Sequence, residues 1–252
     1  MCGSIQSTRL HRVGLLAHLI RLPLRLVPAN RVVRILTGDL RGSRWITGSA
    51  THGCWLGTYE RETQQAFRML IGRGSVVLDI GANVGFFTLL AATRTGPTGF
   101  VYSFEPLPRN LAYLRRHLDL NAVTNVEVLP VALSSSAGAA RFGSAANPAM
   151  GGLAAEGELE VQTETLDELV ASGRVRPPHF LKIDVEGAEY EVLRGAAATL
   201  ARHRPDLLLS THGYREQERC CAFLRELHYE LRELRDGTAD GQYTMLASAA
   251  RA

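Results

Sequence analysis

From residue 75 onward, five apolar, β-rich runs at 75–80, 100–104, 126–132, 179–184 and 206–211 alternate with segments of helical spacing at 84–94, 107–120, 165–171, 188–202 and 214–227. Continuous apolar runs are what buried parallel strands require, because both of their faces are covered. Strand–helix alternation repeated five times predicts a parallel sheet flanked by helices, with right-handed crossovers that impose a doubly wound α/β layout. The tail departs from this pattern. There "YELRELRD" and "QYTMLASA" flank the turn-rich "GTADG" and predict an antiparallel hairpin. The sum is a seven-stranded, mostly parallel sheet with one reversed strand.

Composition is that of a globular chain, 46% hydrophobic and 21% charged. Charge is unevenly placed. Eight arginines (9, 12, 21, 25, 31, 34, 41 and 44) face one acid, Asp39, within residues 1–50, which leaves 20 basic against 24 acidic residues in the rest. A basic segment of +7 therefore precedes a body of −4, and the small net charge gives no reason to expect nucleic acid. Residues 1–55 are read as a basic, helical N-terminal cap or extension and 56–252 as the main domain. Within the extension, residues 8–21 have the pattern of an amphipathic helix. A cap over the domain is preferred to a peripheral membrane contact for it. No stretch reaches the roughly 20 apolar residues of a membrane span, and no signal-peptide cleavage pattern is expected. Cys2, Cys54, Cys220 and Cys221 show no metal-binding spacing, which fits packed thiols in a cytoplasmic protein. Residues 134–160, rich in Ser, Ala and Gly, read as an excursion loop.

The stretch "SVVLDIGANVGFFTLLAA" places an acid and a glycine turn at the end of the first run. Ligands of doubly wound sheets bind beyond the carboxyl ends of the strands, at the switch point, where this turn falls. Gly81 allows the turn, and Gly85 permits close approach of helix to strand or ligand. A dinucleotide fingerprint needs glycine where Asn83 and Phe86 stand, so a pyrophosphate is disfavoured. The one lysine of the chain, Lys182, lies outside any glycine-rich loop, which excludes a Walker-type phosphate site. A nucleoside without a phosphate chain remains, and S-adenosylmethionine fits. Glu105 ends the second run, where an acid can accept hydrogen bonds from both ribose hydroxyls. Val131, Ala132 and Leu133, just past the third run, are candidates to flank adenine or to be ordinary core.

In "HFLKIDVEGAEYEVLRGA", Lys182 and Asp184 share one strand face, and Asp184, Glu186 and Glu189 follow beside Gly187. Carboxylates gathered at a ligand edge call for a cation, a donor or a proton. The fifth run ends "LLLSTHG", with His212 at the neighbouring strand tip. His212 is the first candidate for general base and Asp184 the second, with Lys182 either stabilising an alkoxide or pairing with a carboxylate. If a divalent metal such as Mg²⁺ or Mn²⁺ is used, Asp184, Glu186 and His212 are its expected ligands.

The blocks "VLDIGANVGFFT", "VYSFEPLPRNLAYLRRHLDLN", "FLKIDVEGAEYEVLRGA" and "LLLSTHG" resemble the FkbM-type S-adenosylmethionine-dependent methyltransferases over roughly residues 55–215. The resemblance implies the class I methyltransferase fold and methyl transfer to oxygen, with sugar and polyketide hydroxyls among the acceptors. It implies cofactor contacts at Asp79, Gly81, Asn83, Gly85 and Glu105, with Asp184 near the reacting centre. It also draws Tyr59 and Glu60, in "WLGTYERET", into the cofactor or substrate pocket. One position departs from it: many relatives carry a glutamate two residues before the histidine, where this chain has Ser210. The rival readings are a nicotinamide-dependent oxidoreductase and a non-catalytic cofactor-binding or membrane-surface module.

Overall fold

The computed structural model describes residues 27–144, 151–153, 159–235 and 241–249. The helix predicted at 8–21 and the turn residues 236–240 lie outside them. The chain divides into two compact units, one closing at Tyr59 and one opening at Glu60.

In the first unit, β1 (Val32–Arg34) pairs antiparallel with β2 (Arg44–Ile46), and the short helix α1 (His52–Leu56) follows. Trp45 and Ile46 on β2 and Cys54 on α1 are buried. The described part of the basic extension is thus a β-hairpin and one helical turn and a half, where helix alone was expected. Among the described residues no helix is long and apolar enough to cross a membrane.

The second unit begins with α2 (Arg61–Leu70). Then β3 (Val76–Ile80), α3 (Phe86–Thr95), β4 (Phe100–Phe104), α4 (Pro108–Leu120) and β5 (Val126–Leu129) build one half of the main sheet. The other half comes from β10 (Phe180–Ile183), β11 (Asp206–His212), β12 (Tyr229–Arg235) and β13 (Gln242–Ala249). Spatial order is β12-β13-β11-β10-β3-β4-β5, with β13 antiparallel to both neighbours and the rest parallel. This is the seven-stranded sheet with one reversed strand that the sequence predicts. The switch point lies between β3 and β10, where the chain leaves one half and returns to start the other.

Side-chain alternation explains what each face does. Leu78, Ile80, Tyr102, Phe104, Leu181, Ile183, Leu207 and Leu209 enter the principal core. It is completed from α6 (Glu189–Arg194), α7 (Ala197–His203) and α8 (Tyr214–Glu226) by Val192, Leu193, Leu200, Cys220 and Leu224. The opposite face carries Asp79, Ser103, Lys182 and Ser210, all buried. On the same side Phe67 of α2 lies 5.1 Å from Phe87 and 5.2 Å from Phe180, ring centroid to centroid. A polar thread therefore runs through an aromatic layer, and its position decides the site.

Two predicted elements are broken in the structure. The run 126–132 stops as a sheet strand at Leu129, because Pro130 has no N–H to give the ladder. The chain then enters a second sheet of order β6-β9-β7-β8, made by β6 (Ala132–Leu133), β7 (Gly138–Ser144), β8 (Gly151–Leu153) and β9 (Leu159–Glu164). The segment expected to be an excursion loop is strand wherever it is described, except near Ser134–Ala137; its small residues gave no apolar period to read. The single predicted helix at 188–202 is divided at Gly195. A Cβ there would stand 2.0 Å from the Ser134 carbonyl oxygen, so the backbones touch and the helix ends. The carboxylate of Asp167, on α5 (Leu166–Ala171), accepts from the N–H groups of Ala198 and Thr199 and restarts it as α7.

Candidate active site

Gly81 follows β3 and turns with φ +77, and a Cβ on it would meet the Asp184 carbonyl oxygen at 1.9 Å. The two strand ends on either side of the switch point are therefore in backbone contact, and only glycine fits between them. Asn83 at φ 51 and Gly85 at φ 90 continue the turn into α3. Glu105, just beyond β4, is buried. Its Oε2 accepts the Asn83 N–H at 2.8 Å, and its Oε1 accepts from Leu107 N at 2.9 Å and Asn110 Nδ2 at 3.3 Å. Burial pushes its pKa up against the opposing pull of these donors. The acid expected to clasp a ribose also braces the glycine turn.

His117 of α4 pins the same turn from outside. Its Nδ1–H donates to the Val84 carbonyl at 2.8 Å. Burial, with Arg116 nearby, lowers its pKa to about 4, the bond to Val84 opposing, while the Tyr113 ring stacks against it. Against an unfolded value near 6.5, the ring's contribution is complete above pH 6.5 and is lost as pH falls through 4. The loss amounts to roughly 3 kcal/mol. Urea unfolding at pH 7 and pH 4.5 is expected to show a larger drop for the native chain than for His117→Gln. Equal drops would contradict it.

Beneath the turn is a charged trio, Lys182 and Asp79 buried and Asp184 half-buried. Lys182 pairs in register with Asp79 across β10 and β3. Its Nζ lies 3.6 Å from Asp79 Oδ1, 3.4 Å from Asp184 Oδ2 and 3.4 Å from the Gly81 carbonyl. Lys182 is 3% exposed and Asp79 0%. Thr88 Oγ1 donates to Asp79 Oδ2 at 2.6 Å and accepts from Ser103 Oγ at 3.0 Å. Burial works to lower the lysine pKa, but Asp184 and Asp79 outweigh it and raise it, so the ammonium keeps its charge. Burial raises that of Asp79 in spite of Lys182 and Thr88. One ammonium is shared by two carboxyl groups at the foot of the turn. Lys182 is thus a pairing partner within the sheet edge.

His212 closes β11 one strand over. Its Nδ1 lies 2.9 Å from Glu189 Oε1, and its Nε2 lies 3.3 Å from Glu186 Oε2 and 3.8 Å from Asp184 Oδ1. Burial tends to lower the ring pKa, but the bond to Glu189 and the charges of Glu189, Asp184 and Glu186 raise it to about 9. At neutral pH the ring is therefore an imidazolium that donates at both nitrogens. Asp184, Glu186 and His212 offer ligand atoms within 4.8 Å of one another, so the residues named for a metal do converge.

The remaining expectations fall out as follows. Glu60 caps α2 at φ 41, and its charge acts on Lys182. Tyr59 is the last residue of the N-terminal unit, its N–H bonded to the Gly53 carbonyl. Val131 and Leu133 are buried in the principal core, and Ala132 starts β6 half-exposed. Thr88, Ser103, Asn110 and His117 belong to the site's scaffold; they lie inside the blocks quoted above, but no strand tip or spacing singled them out. Cys220 is buried in α8 and burial pushes its thiol up, as expected of a packed cysteine.

The geometry now has a counterpart among known proteins. Residues 79–237, which run from Asp79 through both acidic strand tips to the terminal hairpin, match the model of the methyltransferase FkbM domain. The chain belongs to this family. Among curated proteins, the hexuronic acid methyltransferase AglP of Haloferax volcanii is 34% identical over 145 residues, which are 56% of this chain and 59% of that protein. The chain thus spans less than two thirds of the curated relatives it matches. Among solved structures, a methyltransferase FkbM from Methylobacillus flagellatus KT superposes with a TM-score of 0.51 at 20% identity, over 69% of this chain and 43% of that one. A SAM-dependent O-methyltransferase from Thermotoga maritima gives 0.53 at 11% identity, over 89% and 79%. At such identities the structures establish the fold, a Rossmann-like methyltransferase sheet.

The residues of this FkbM domain fit S-adenosylmethionine by two observations. The Gly81 turn brings the ends of β3 and β10 into contact at the switch point, where doubly wound sheets take their ligands, and the edge beside it is lined by carboxylates suited to a cationic nucleoside.

Proposed function

We propose that this FkbM-family chain is an S-adenosylmethionine-dependent O-methyltransferase whose acceptor is a hydroxyl of a sugar or glycan, with polyketide-type alcohols the next class. The observation that carries the reading is the meeting of Asp184, Glu186 and His212 at two strand tips beside the Gly81 turn. Family membership and the hexuronic acid named for the Haloferax relative support it.

Asp79, the Gly81–Gly85 turn, Glu105 and Asp184 would hold the donor, which supplies an electrophilic methyl on a cationic sulfur and leaves as the neutral thioether. The protein's part is chiefly placement of the acceptor oxygen within about 3 Å of that carbon. A hydroxyl must also shed its proton, and the group that takes it must lie within hydrogen-bond reach. Asp184, which lies beside the Lys182 ammonium and the His212 ring, and His212, once it has passed its own proton to solvent, form the accepting pair.

The test incubates the full chain with methyl-labelled S-adenosylmethionine and neutral sugars, hexuronic acids, nucleotide sugars, lipid-linked glycans and polyketide alcohols. Label should appear as a methyl ether on one class. Calorimetric binding of a nicotinamide nucleotide in place of the methyl donor would overturn the reading. His212→Ala is expected to cut turnover roughly 100-fold while donor affinity stays within about twofold. Equal loss of both would remove His212 from the chemistry.

A further inference from the structure

Position 210, two residues before His212 on the same strand face, is where an acid of β11 could face the ring. Ser210 stands there, and its Oγ lies 3.4 Å from Thr244 Oγ1, turned to β13. The histidine nevertheless has a glutamate, from another element. Glu189, the first residue of α6, is 0% exposed, and its Oε1 receives three donors: His212 Nδ1 at 2.9 Å, Gly187 N at 3.0 Å and Val185 N at 3.2 Å. The backbone between β10 and α6 bends around this oxygen, with Glu186 at φ 56 and Gly187 at φ 101. Glu189 Oε2 is buried without a hydrogen-bond partner. A carboxylate so enclosed leaves the imidazole little choice of orientation.

We infer that Glu189 is a positioning residue: it holds the proton of His212 on Nδ1 and aims Nε2 at the Asp184–Glu186 edge. The bond made by one ring nitrogen decides which nitrogen keeps the proton. With Nδ1–H committed to Glu189, any exchange of a proton with the acceptor site is confined to Nε2, the nitrogen 3.3 Å from Glu186 and 3.8 Å from Asp184. The same oxygen fixes the Val185–Gly187 turn, so the turn that carries Glu186 and the ring that Glu186 faces are set by one atom. The consequence for turnover rests on the methyl-transfer reading above, whereas the contact itself does not.

Glu189→Gln keeps an oxygen for the two backbone donors and removes the charge, so the turn has no lost acceptor to collapse around. In the full chain labelled with ¹⁵N-histidine, the native protein should show a downfield, slowly exchanging Nδ1 proton that is absent from His212→Ala. In E189Q it should move upfield and exchange faster. An unchanged resonance in E189Q, or none in the native protein, overturns the inference. With an acceptor from the panel, E189Q should lose turnover by roughly 100-fold with donor affinity within about twofold, and should cost nothing further in the His212→Ala background. A merely structural role would instead weaken donor binding as well and add to the His212→Ala loss. If the native chain methylates no acceptor, the functional reading fails while the resonance still judges the contact.

Discussion

Lys182→Met is expected to destabilise the second unit by about 3–5 kcal/mol, the usual cost of leaving a buried charge without its partner. The lysine Nζ is the cation between Asp79 Oδ1 and Asp184 Oδ2, and Asp79 has no exposure through which water could take over. Methionine fills a similar volume beside Phe87, whose ring centroid lies 5.5 Å from the ammonium, so packing changes little and the loss is electrostatic. The measurement is the free energy of unfolding in urea for three chains: native, K182M and K182M/Asp79→Asn. The double variant should recover part of the loss, because removing both charges spares the desolvation of the one left behind. A single variant as stable as the native chain, or a double variant less stable than the single, would contradict the charged trio.

Gly81→Ala is expected to abolish donor binding and to lower stability by roughly 2–5 kcal/mol, the sum of a strained left-handed backbone and an overpacked contact. The added methyl would stand 1.9 Å from the Asp184 oxygen and 2.9 Å from its carbonyl carbon, both backbone atoms that no rotamer change can move. Either the turn rises or β10 is pushed away, and Asp184 moves with it in both cases. Gly187→Ala is the control, since its φ of +101 is also left-handed but nothing lies within 4 Å of its Cβ. It should cost only the backbone strain, about 1–3 kcal/mol. Thermal unfolding with calorimetry of the donor separates the two, and equal effects at both glycines would remove the special status of Gly81.

Much of this site could be read from the residues because strand tips announce themselves. Glu105, Asp184 and His212 each close an apolar run and Asp79 stands one residue before the end of another, at the sheet edge where ligands of doubly wound folds bind. The seven strands of the main sheet, one of them reversed, followed from the same runs and the terminal hairpin. What could not be read depended on contacts between distant segments. Glu105 was read for a ribose, and the bracing of its carboxylate by Asn83, Leu107 and Asn110 was not foreseen. Glu189 counted as one acid among three until β11 brought His212 to it. The sheet of β6–β9 was hidden because Ser, Ala and Gly carry no apolar period, and the stop at Leu129 needed only more weight on Pro130.

The central pairing of the main sheet has a consequence for synthesis of the chain. The Val76 N–H and the His179 ring, which bond at the base of the β3–β10 pair, are 103 residues apart. As the polypeptide leaves the ribosome, β3, β4 and β5 are complete long before β10 exists, and β3 meanwhile offers an unpaired border that is apolar but for Asp79. Such a border invites pairing with other chains, and closure over so long a separation is slow. Recovery of native material should therefore fall when the message is truncated or translation is stalled ahead of Phe180, and rise when a holdase is supplied during that interval.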